Sequence, residues 1–466
     1  MKIRFGTSGW RGIIAEDFTV DNLKRLSQAI ANYLKDVSDN PKIVIGYDTR
    51  FMTEYFAQIV RKVMNGNEIE VLMCENPTPT PVISFYIISK GLDGGINLTA
   101  SHNPPQYLGL KFNPGNGAPA PIEVTKKIEE IVKDIELSDV KEADGLMSEL
   151  FEVVNPSKEY FEYLSNRVNF EIIRSKRLKV VADMMYGTAI GYLNNLLLEN
   201  TENPVILHDY RDPYFGGYRP EPNERRMGEI REIIKSKDLH CGLAVDGDAD
   251  RFGVVDDRGD FIPPNEFIGL VAYHLYKNKN LKGPSARSIA TSHLLDEITN
   301  SFGYETLETP VGFKYLGELL LEKNIVVGGE ESGGLTIQSH VPEKDGILAC
   351  MLALEMLAYS DKLLSELREE IKEKYGRFLD RRLDVKLEST EEKNKYMLEF
   401  EKLPEKVKSK KMKERKDIDG IQYIFEGKHN WVLARPSGTE PVVRIYIEAT
   451  DDEFFNEVVQ EVKNLI

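Results

Sequence analysis

Hydrophobic and polar positions in the first hundred residues follow two alternating periods. Short apolar runs, typical of buried strands, are followed by segments in which apolar residues recur every three or four positions, as in helices. The predicted strands are KIVIGYD (42–48), IEVLMCE (69–75) and GINLTAS (95–101). The helices predicted between them are TEYFAQIVRKVM (53–64) and PVISFYIISKG (81–91). This βαβαβ order favours a largely parallel sheet with helices on its faces.

The same order of strands and helices recurs twice further along the chain. The second copy runs from LKVVADM (178–184) to CGLAVDGDADR (241–251), and the third from ARSIATS (286–292) to IVVGGEESGG (325–334). After residue 360 the pattern changes. A charge-dense stretch at 401–416 predicts a solvated helix or loop, and a β-rich tail follows it.

These repeats predict an α/β fold with three similar α/β domains, whose sheets are mixed but mostly parallel, and a smaller C-terminal α+β domain. We expect the domains to span 1–148, 149–252, 253–367 and 368–466. The third strand of each copy ends in a polar motif: TASHNP (99–104), DGDADR (246–251) and GEESGG (329–334). Because ligands bind beyond the carboxyl ends of strands in open α/β sheets, these matching positions predict one central cleft.

The net charge, the cysteines and the apolar runs of the chain limit the kinds of molecule that it is expected to bind. The 466 residues carry a formal net charge of −16, so nucleic acid is an unfavourable partner and a small anion needs a locally basic pocket. The three cysteines are far apart, which is typical of a reducing compartment. No apolar run reaches the length of a membrane span, and the N-terminus lacks the apolar core of a signal peptide. We expect a cytoplasmic protein without membrane partners.

The DGDADR motif predicts a cation site. Alternate positions in an extended segment place Asp246, Asp248 and Asp250 on one side, where they repel one another without a cation between them. An all-oxygen set suits Mg²⁺ or Ca²⁺. An EF-hand loop does not fit, because its sixth position is Arg251 and its twelfth is Asp257. A haloacid-dehalogenase-type Asp nucleophile and a solvated acidic turn remain alternatives. Arg251 would balance the cluster or reach a substrate phosphate.

The segment ARPSGTEP (434–441) predicts a phosphate site. Its glycine permits a tight turn of converging N–H groups, and hydroxyl and guanidinium groups add donors. The candidate residues are Arg435, Ser437, Gly438, Thr439 and, on the next strand, Arg444. The Walker pattern GxxxxGK[ST] does not occur. A hairpin turn with a surface arginine is the alternative.

Two further segments suit a sugar. In GEESGG, Glu330 and Ser332 offer the paired acceptors and donors that hydroxyl groups require. TPVGFK (309–314) adds Gly312 and Lys314 to the same rim. An ordinary glycine-rich turn and a helix-surface lysine are the alternatives.

Ser101 is better suited to carrying a phosphoryl group than to acyl transfer, because no GxSxG elbow or evident triad accompanies it. A metal among three aspartates would neutralise the added charge. His102 and Lys111 are candidates for handling the proton of an attacking hydroxyl. Arg11, in GTSGWRG (6–12), and Arg50 are candidates for orienting the phosphoryl oxygens.

TASHNP, DGDADR, GEESGG and RPSGTEP, in this order and preceded by FGTSGWRG, closely resemble the motifs of the α-D-phosphohexomutase superfamily of phosphoglucomutases and phosphomannomutases. The resemblance covers nearly the whole chain. It implies that Ser101 is a phosphoserine and that, with Asp246, Asp248 and Asp250, it binds Mg²⁺. It implies acid–base roles for His102 and Lys111 and sugar contacts for Glu330 and Ser332. The phosphate contacts that it implies are Arg435, Ser437, Gly438, Thr439 and Arg444.

The reaction implied by the resemblance interconverts hexose 1-phosphate and hexose 6-phosphate through a hexose 1,6-bisphosphate, with glucose 1,6-bisphosphate as activator. GEESGG, TPVGFK and EKDGI (343–347) look more like phosphoglucomutases than phosphoglucosamine mutases. We expect glucose as the preferred sugar, dual glucose and mannose specificity second, and mannose alone third. A Mg²⁺-dependent sugar phosphatase with Asp248 as nucleophile and a non-catalytic binding protein are the rival classes. A monomer or homodimer is expected.

Overall fold

The computed structural model describes residues 3–6, 9–143, 149–437 and 441–465. Within these residues the strands are β1 (Trp10–Ile13), β2 (Lys42–Tyr47), β3 (Glu70–Cys74), β4 (Gly94–Leu98), β5 (Tyr107–Pro114), β6 (Phe151–Val154), β7 (Val180–Asp183), β8 (Val205–Leu207), β9 (Cys241–Val245), β10 (Phe252–Val255), β11 (Phe261–Ile262), β12 (Ser285–Ser288), β13 (Thr306–Thr309), β14 (Val327–Glu330), β15 (Gly334–Ile337), β16 (Leu379–Lys386), β17 (Met412–Lys416), β18 (Ile421–Phe425), β19 (Trp431–Pro436) and β20 (Val442–Ala449).

The helices of the same residues alternate with strands over much of the chain, as predicted. They are α1 (Val20–Val37), α2 (Thr53–Gly66), α3 (Thr80–Lys90), α4 (Ile122–Lys133), α5 (Ser157–Ser165), α6 (Phe170–Lys176), α7 (Leu193–Asn200), α8 (Gly228–Lys237), α9 (Pro264–Lys277), α10 (Leu294–Ser301), α11 (Phe313–Lys323), α12 (Gly346–Ser360), α13 (Leu364–Tyr375), α14 (Thr390–Phe400), α15 (Leu403–Lys406) and α16 (Asp452–Lys463). No helix in the described ranges is both long and apolar enough to cross a membrane.

The first three sheets have the same core. Three parallel strands lie side by side in the order third, first, second: β4-β2-β3, β9-β7-β8 and β14-β12-β13. In each sheet the third strand is followed by an antiparallel partner, β5, β10 or β15. The predicted α/β class with mixed sheets is confirmed. Parallel pairs outnumber antiparallel pairs in the first and third sheets and equal them in the second. Each polar motif therefore lies in a hairpin at the carboxyl end of a parallel strand.

Burial explains why these segments fold as they do. The inner strands are continuous apolar runs because helices cover both faces, and β2 is buried from Ile43 to Tyr47. Helix α12 is buried over the whole of Gly346–Ala358, which matches its apolar residues on all sides. Asp345 begins this helix by accepting a hydrogen bond from the Leu348 N–H at 2.9 Å. The EKDGI segment (343–347) forms this N-terminal end of the helix.

The fourth domain has an antiparallel sheet with helices packed on it, which agrees with the predicted α+β class. Its strand order is β16-β20-β19-β18-β17, and α14 and α16 pack against the sheet through a core of their own. The charge-dense stretch differs in part from the predicted helix or loop, since Met412–Lys416 forms the edge strand β17. Its exposed charged side chains suit an edge position. The strand β6, which follows residue 148, pairs with β3 in the first sheet. The four domain boundaries given above remain a prediction.

Candidate active site

Ser101 lies in the hairpin between β4 and β5. Its backbone adopts a left-handed conformation, with φ of 52°, which turns the side chain out of the strand direction. Its Oγ donates to Asp246 Oδ2 at 2.8 Å and lies 3.1 Å from Nδ1 of His102. The serine predicted to carry a phosphoryl group thus contacts the predicted metal loop of the next domain.

Arg50 fixes the shape of this hairpin. Its buried guanidinium has five N–H groups, and they make five hydrogen bonds. Nε donates to Asp48 Oδ2 at 3.0 Å, and the Nη groups donate to four carbonyl oxygens of the hairpin. These are the carbonyls of Ser101, Asn103, Pro104 and Tyr107. The expectation that Arg50 orients phosphoryl oxygens is therefore wrong, because its donors hold the loop.

Arg11 reaches the same loop from the edge strand β1. It stands opposite Gly109 of β5, and its Nη1 donates to Asn103 Oδ1 at 2.7 Å. Gly9 permits this close approach, since it has φ of +109° and a Cβ there would lie 2.6 Å from the Leu110 carbonyl oxygen. Burial lowers the pKa of Arg11, although Asp248 opposes that shift.

The three aspartates converge as predicted. Asp246, Asp248 and Asp250 lie in the hairpin between β9 and β10, and their ligand atoms all lie within 4.8 Å of one another. Burial, followed by the charges of Asp250 and Asp248, raises the pKa of Asp246 well above its ordinary value. Among the described residues, no group donates a hydrogen bond to Asp248 Oδ1 or Asp250 Oδ1, although both oxygens are buried. These unsatisfied oxygens fit a Mg²⁺ ion.

Two lysines form ion pairs with the aspartates and offset their negative charge. Lys111 Nζ lies 2.6 Å from Asp248 Oδ2 and 2.9 Å from Asp250 Oδ2. Burial alone would lower the pKa of Lys111, but Asp248 and Asp250 outweigh it and raise that pKa above its usual value. Lys344 Nζ lies 3.2 Å from Asp250 Oδ2, and the sequence carries no local signal for this contact. Both ammonium groups are therefore held in the charged form.

Thr80, the first residue of α3, ties the first domain to the aspartate loop. Its Oγ1 donates to Asp248 Oδ2 at 2.6 Å, and its N–H donates to the Asp248 carbonyl at 3.0 Å. Asn97 Nδ2 donates to Thr80 Oγ1 at 2.8 Å. Asp248 is thereby held in one orientation by a neighbouring domain.

His102 differs from the lysines in its charge. Burial lowers the pKa of His102 well below its ordinary value, and the nearby positive charges of Arg251 and Arg11 lower it further. Its imidazole is therefore neutral. Arg251 lies beside the aspartates, with its Nε 4.0 Å from Asp250 Oδ1 and its Nη1 3.7 Å from Glu221 Oε1.

The predicted sugar loop is the hairpin between β14 and β15. Glu330 Oε1 accepts a hydrogen bond at 2.8 Å from the N–H of Gly312, which precedes α11 and has φ of +138°. Burial and then the charge of Glu331 raise the pKa of Glu330 to about 7. Ser332 is half-buried, and Lys314, whose pKa is lowered by burial, stands in the first turn of α11. The two predicted sugar segments thus meet.

The predicted phosphate loop follows β19. Arg435 stands opposite Arg444 of β20, so both side chains project from one face of the sheet. Arg435 Nε donates to Asp419 Oδ2 at 2.7 Å, and the Ser437 N–H donates to the Val442 carbonyl at 2.8 Å. Gly438 and Thr439 lie outside the described residues.

Comparisons with known proteins agree with this arrangement. Four family models match in sequence: the phosphoglucomutase/phosphomannomutase alpha/beta/alpha domains I (residues 2–139), II (158–259) and III (263–375), and the C-terminal domain (385–465). They cover most of the chain in the order of the four sheets. The chain therefore belongs to the phosphoglucomutase/phosphomannomutase family.

Similar proteins have more than one name. A phosphoglucomutase/phosphomannomutase of Thermococcus kodakarensis is 33% identical, covering 98% of this chain and 96% of the relative. A phosphoglucosamine mutase of Methanococcus vannielii is 29% identical, covering 99% and 98%.

Solved structures share the fold along the whole chain. One from Thermus thermophilus has a TM-score of 0.87 and 31% identity, covering 100% of this chain and 99% of that one. The open form of pp63/parafusin, a phosphoglucomutase from Paramecium, has a TM-score of 0.84 and 25% identity, covering 99% and 95%.

Proposed function

We propose that this protein interconverts glucose 1-phosphate and glucose 6-phosphate through a phosphorylated Ser101 and an enzyme-bound glucose 1,6-bisphosphate. The observation that carries the proposal is the contact of Ser101 Oγ with Asp246 beside two buried, unsatisfied carboxylate oxygens. A serine that only caps a turn would have no need of three carboxyl groups from another domain beside its hydroxyl group. Membership of the family supports the same class of reaction.

The aspartate loop is the proposed metal site. Asp246, Asp248 and Asp250 would hold Mg²⁺ together with Ser101. When bound, the ion supplies positive charge that neutralises the phosphoryl oxygens during transfer. Lys111 adds further positive charge to this site, because its ammonium group lies against two of the carboxylates.

The transfer moves one phosphoryl group in each direction. In the first half, the bond from phosphorus to Ser101 Oγ breaks and a bond to the free sugar hydroxyl oxygen forms, while the hydroxyl proton passes to a protein base. His102 is placed to take part in this proton transfer, because its Nδ1 lies 3.1 Å from Ser101 Oγ. In the second half, the bond from phosphorus to the sugar oxygen at the other end of the bisphosphate breaks and a bond to Ser101 Oγ forms. The proton passes from the protein to the sugar oxygen that is released. Arg11 and Lys111 hold the charge of the group in transit.

The remaining predicted residues would hold the sugar and its second phosphate. Glu330 and Ser332 would bind the hydroxyl groups, with Gly312 and Lys314 beside them. The Arg435 and Arg444 guanidinium groups on one sheet face suit a phosphate, which needs paired donors. Arg251 would reach the substrate from the aspartate hairpin, and Ser437, Gly438 and Thr439 would complete the phosphate loop. The site must accept phosphate from either end of the sugar, so a general anion loop fits the reaction.

The substrate preference is tested by comparing kcat/KM for glucose 1-phosphate, mannose 1-phosphate and glucosamine 1-phosphate. We expect glucose 1-phosphate to give the highest value, with mannose 1-phosphate second, because GEESGG, TPVGFK and EKDGI look more like phosphoglucomutases than phosphoglucosamine mutases. The comparison includes glucosamine 1-phosphate because some relatives are named phosphoglucosamine mutase. A higher kcat/KM for glucosamine 1-phosphate would contradict the proposed preference.

The raised pKa of Glu330 predicts a pH dependence. Below pH 7 its carboxyl is mostly protonated, and above pH 7 it is mostly the carboxylate, since its pKa is about 7. In the proposed function the carboxylate accepts hydrogen bonds from the sugar hydroxyl groups. We expect kcat/KM to rise as the pH increases from about 6 to 8. The measurement is a pH–rate profile of the wild type, Glu330→Gln and Glu331→Gln.

The two variants separate Glu330 from other titrating groups, including substrate phosphate with a second pKa of about 6. Glu330→Gln should lower kcat/KM and abolish the inflection near pH 7. Glu331→Gln should shift the inflection to lower pH, because the charge of Glu331 raises the pKa of Glu330. An unchanged inflection in Glu330→Gln would assign it to another group.

A further inference from the structure

Asp419 lies in the turn that joins β17 to β18, beside the phosphate loop. The following residue, Gly420, has φ of +101°, and a Cβ at this position would overlap the carbonyl oxygen of Ala434. The turn can therefore approach β19 closely only with glycine there. This approach brings the Asp419 carboxylate to the side chain of Arg435.

One oxygen of Asp419 accepts two hydrogen bonds from different domains. Oδ2 accepts from Nε of Arg435 at 2.7 Å, within the fourth domain. It also accepts from the N–H of Val311 at 3.1 Å, in the third domain. The next N–H, that of Gly312, donates to Glu330 of the sugar loop at 2.8 Å. Asp419 therefore stands at the junction of the proposed phosphate and sugar sites.

The two domains are packed against each other around this junction. Ile289 and Ala290 of the third domain share a buried apolar cluster with Trp431, Leu433 and Tyr446 of the fourth. Beside the turn, Lys416 Nζ lies 3.0 Å from Glu308 Oε1. The Asp419 contacts thus belong to a formed interface.

We propose that Asp419 is a positioning residue that orients Arg435 for the substrate phosphate and ties the phosphate loop to the sugar loop. Holding Nε fixes the plane of the guanidinium, so that its Nη groups keep one direction towards a phosphate. The Val311 contact makes this orientation depend on the docking of the fourth domain. The inference rests on the proposed function, in which Arg435 binds the second phosphate.

Removal of the carboxylate is expected to weaken substrate binding more than it slows chemistry. We expect Asp419→Ala to raise KM for glucose 1-phosphate about tenfold and to leave kcat within about threefold, because Arg435 does not touch the reacting oxygens. Asp419→Asn should raise KM less, since its amide oxygen still accepts both hydrogen bonds. Asp417→Asn is the matched control, because Asp417 lies in the same turn and pairs with Arg415. Its KM should stay within twofold of the wild type.

A double-mutant cycle separates positioning of Arg435 from a general effect on the turn. In an Arg435→Ala background, Asp419→Ala should change KM less than twofold. A tenfold change in both backgrounds would overturn the proposal, as would an Asp419→Ala variant with the KM of Asp417→Asn. Thermal unfolding of each variant checks folding, and Asp419→Asn carries the test if the alanine variant does not fold.

Measurement of equilibrium binding tests the role of Asp419 independently of whether the protein is a mutase. Calorimetric dissociation constants for glucose 1-phosphate should follow the same order as KM, with Asp419→Ala weakest among the single Asp419 and Asp417 variants. A wild type that binds this ligand without isomerising it would contradict the proposed mutase. In that case the role of Asp419 is still decided by the dissociation constants alone. They are compared for Asp419→Ala with Arg435 present and in the Arg435→Ala background.

Discussion

Replacing Ser101 with alanine is expected to lower the isomerisation rate to less than about one thousandth of the wild-type rate. Ser101 Oγ is the proposed carrier of the phosphoryl group, and alanine offers no oxygen to accept it. The fold should persist, because alanine meets the same steric cost as serine at φ of 52°, and Arg50 holds the hairpin through backbone carbonyls. The measurement is a coupled assay of glucose 6-phosphate formation with glucose 1,6-bisphosphate and Mg²⁺ present.

The control for this loss is Ser175→Ala. Ser175 lies on the exposed side of α6, where its Oγ donates to the Ile172 carbonyl at 2.7 Å, and its replacement should leave the rate unchanged. A phosphatase that used Asp248 as its nucleophile would keep hydrolytic activity without Ser101. Retained turnover of sugar phosphate in Ser101→Ala would therefore favour that rival class.

Replacing Asp248 with asparagine is expected to weaken Mg²⁺ binding and to slow isomerisation by on the order of 10²- to 10³-fold. The change removes one of three carboxyl groups from a buried site whose Asp248 Oδ1 accepts no hydrogen bond within the described residues. It also removes the charge against which Lys111 lies at 2.6 Å. Titration with Mn²⁺, followed by electron paramagnetic resonance, measures the metal affinity directly.

Thermal unfolding gives a second readout that does not depend on turnover. Mg²⁺ should raise the midpoint of the wild type, because it binds the folded protein, and should raise that of Asp248→Asn much less. Asp260→Asn is the control, since Asp260 is an exposed carboxylate on the neighbouring hairpin. Equal stabilisation of Asp248→Asn and the wild type by Mg²⁺ would contradict the proposed metal site.

The repeated pattern of the sequence was sufficient for the fold class and for the neighbourhood of the motifs. Each copy contains strands buried on both faces, and such strands are recognisable as continuous apolar runs. The hairpin partners were less evident from local pattern. The strand β5 explains how Lys111 reaches the site, since pairing of β4 with β5 sets Lys111 opposite Asn97.

Contacts between domains could not be predicted in the same way. Lys111 and Asp248 are 137 residues apart, and Val311 and Asp419 are 108 residues apart, so no local pattern joins them. Arg50 illustrates the opposite error. Its charge and its position in GYDTR suggest an anion ligand, but the geometry of the neighbouring hairpin directs its donors to backbone carbonyls.

The central claim, that Ser101 carries the phosphoryl group, is tested most directly by mass spectrometry of the purified protein. The protein is incubated with glucose 1,6-bisphosphate and Mg²⁺, and its intact mass and proteolytic peptides are measured. We predict one phosphoryl group per chain, mapped to Ser101 and absent from Ser101→Ala. An unmodified wild-type chain, or a phosphoryl group on Asp248 instead, would contradict the account.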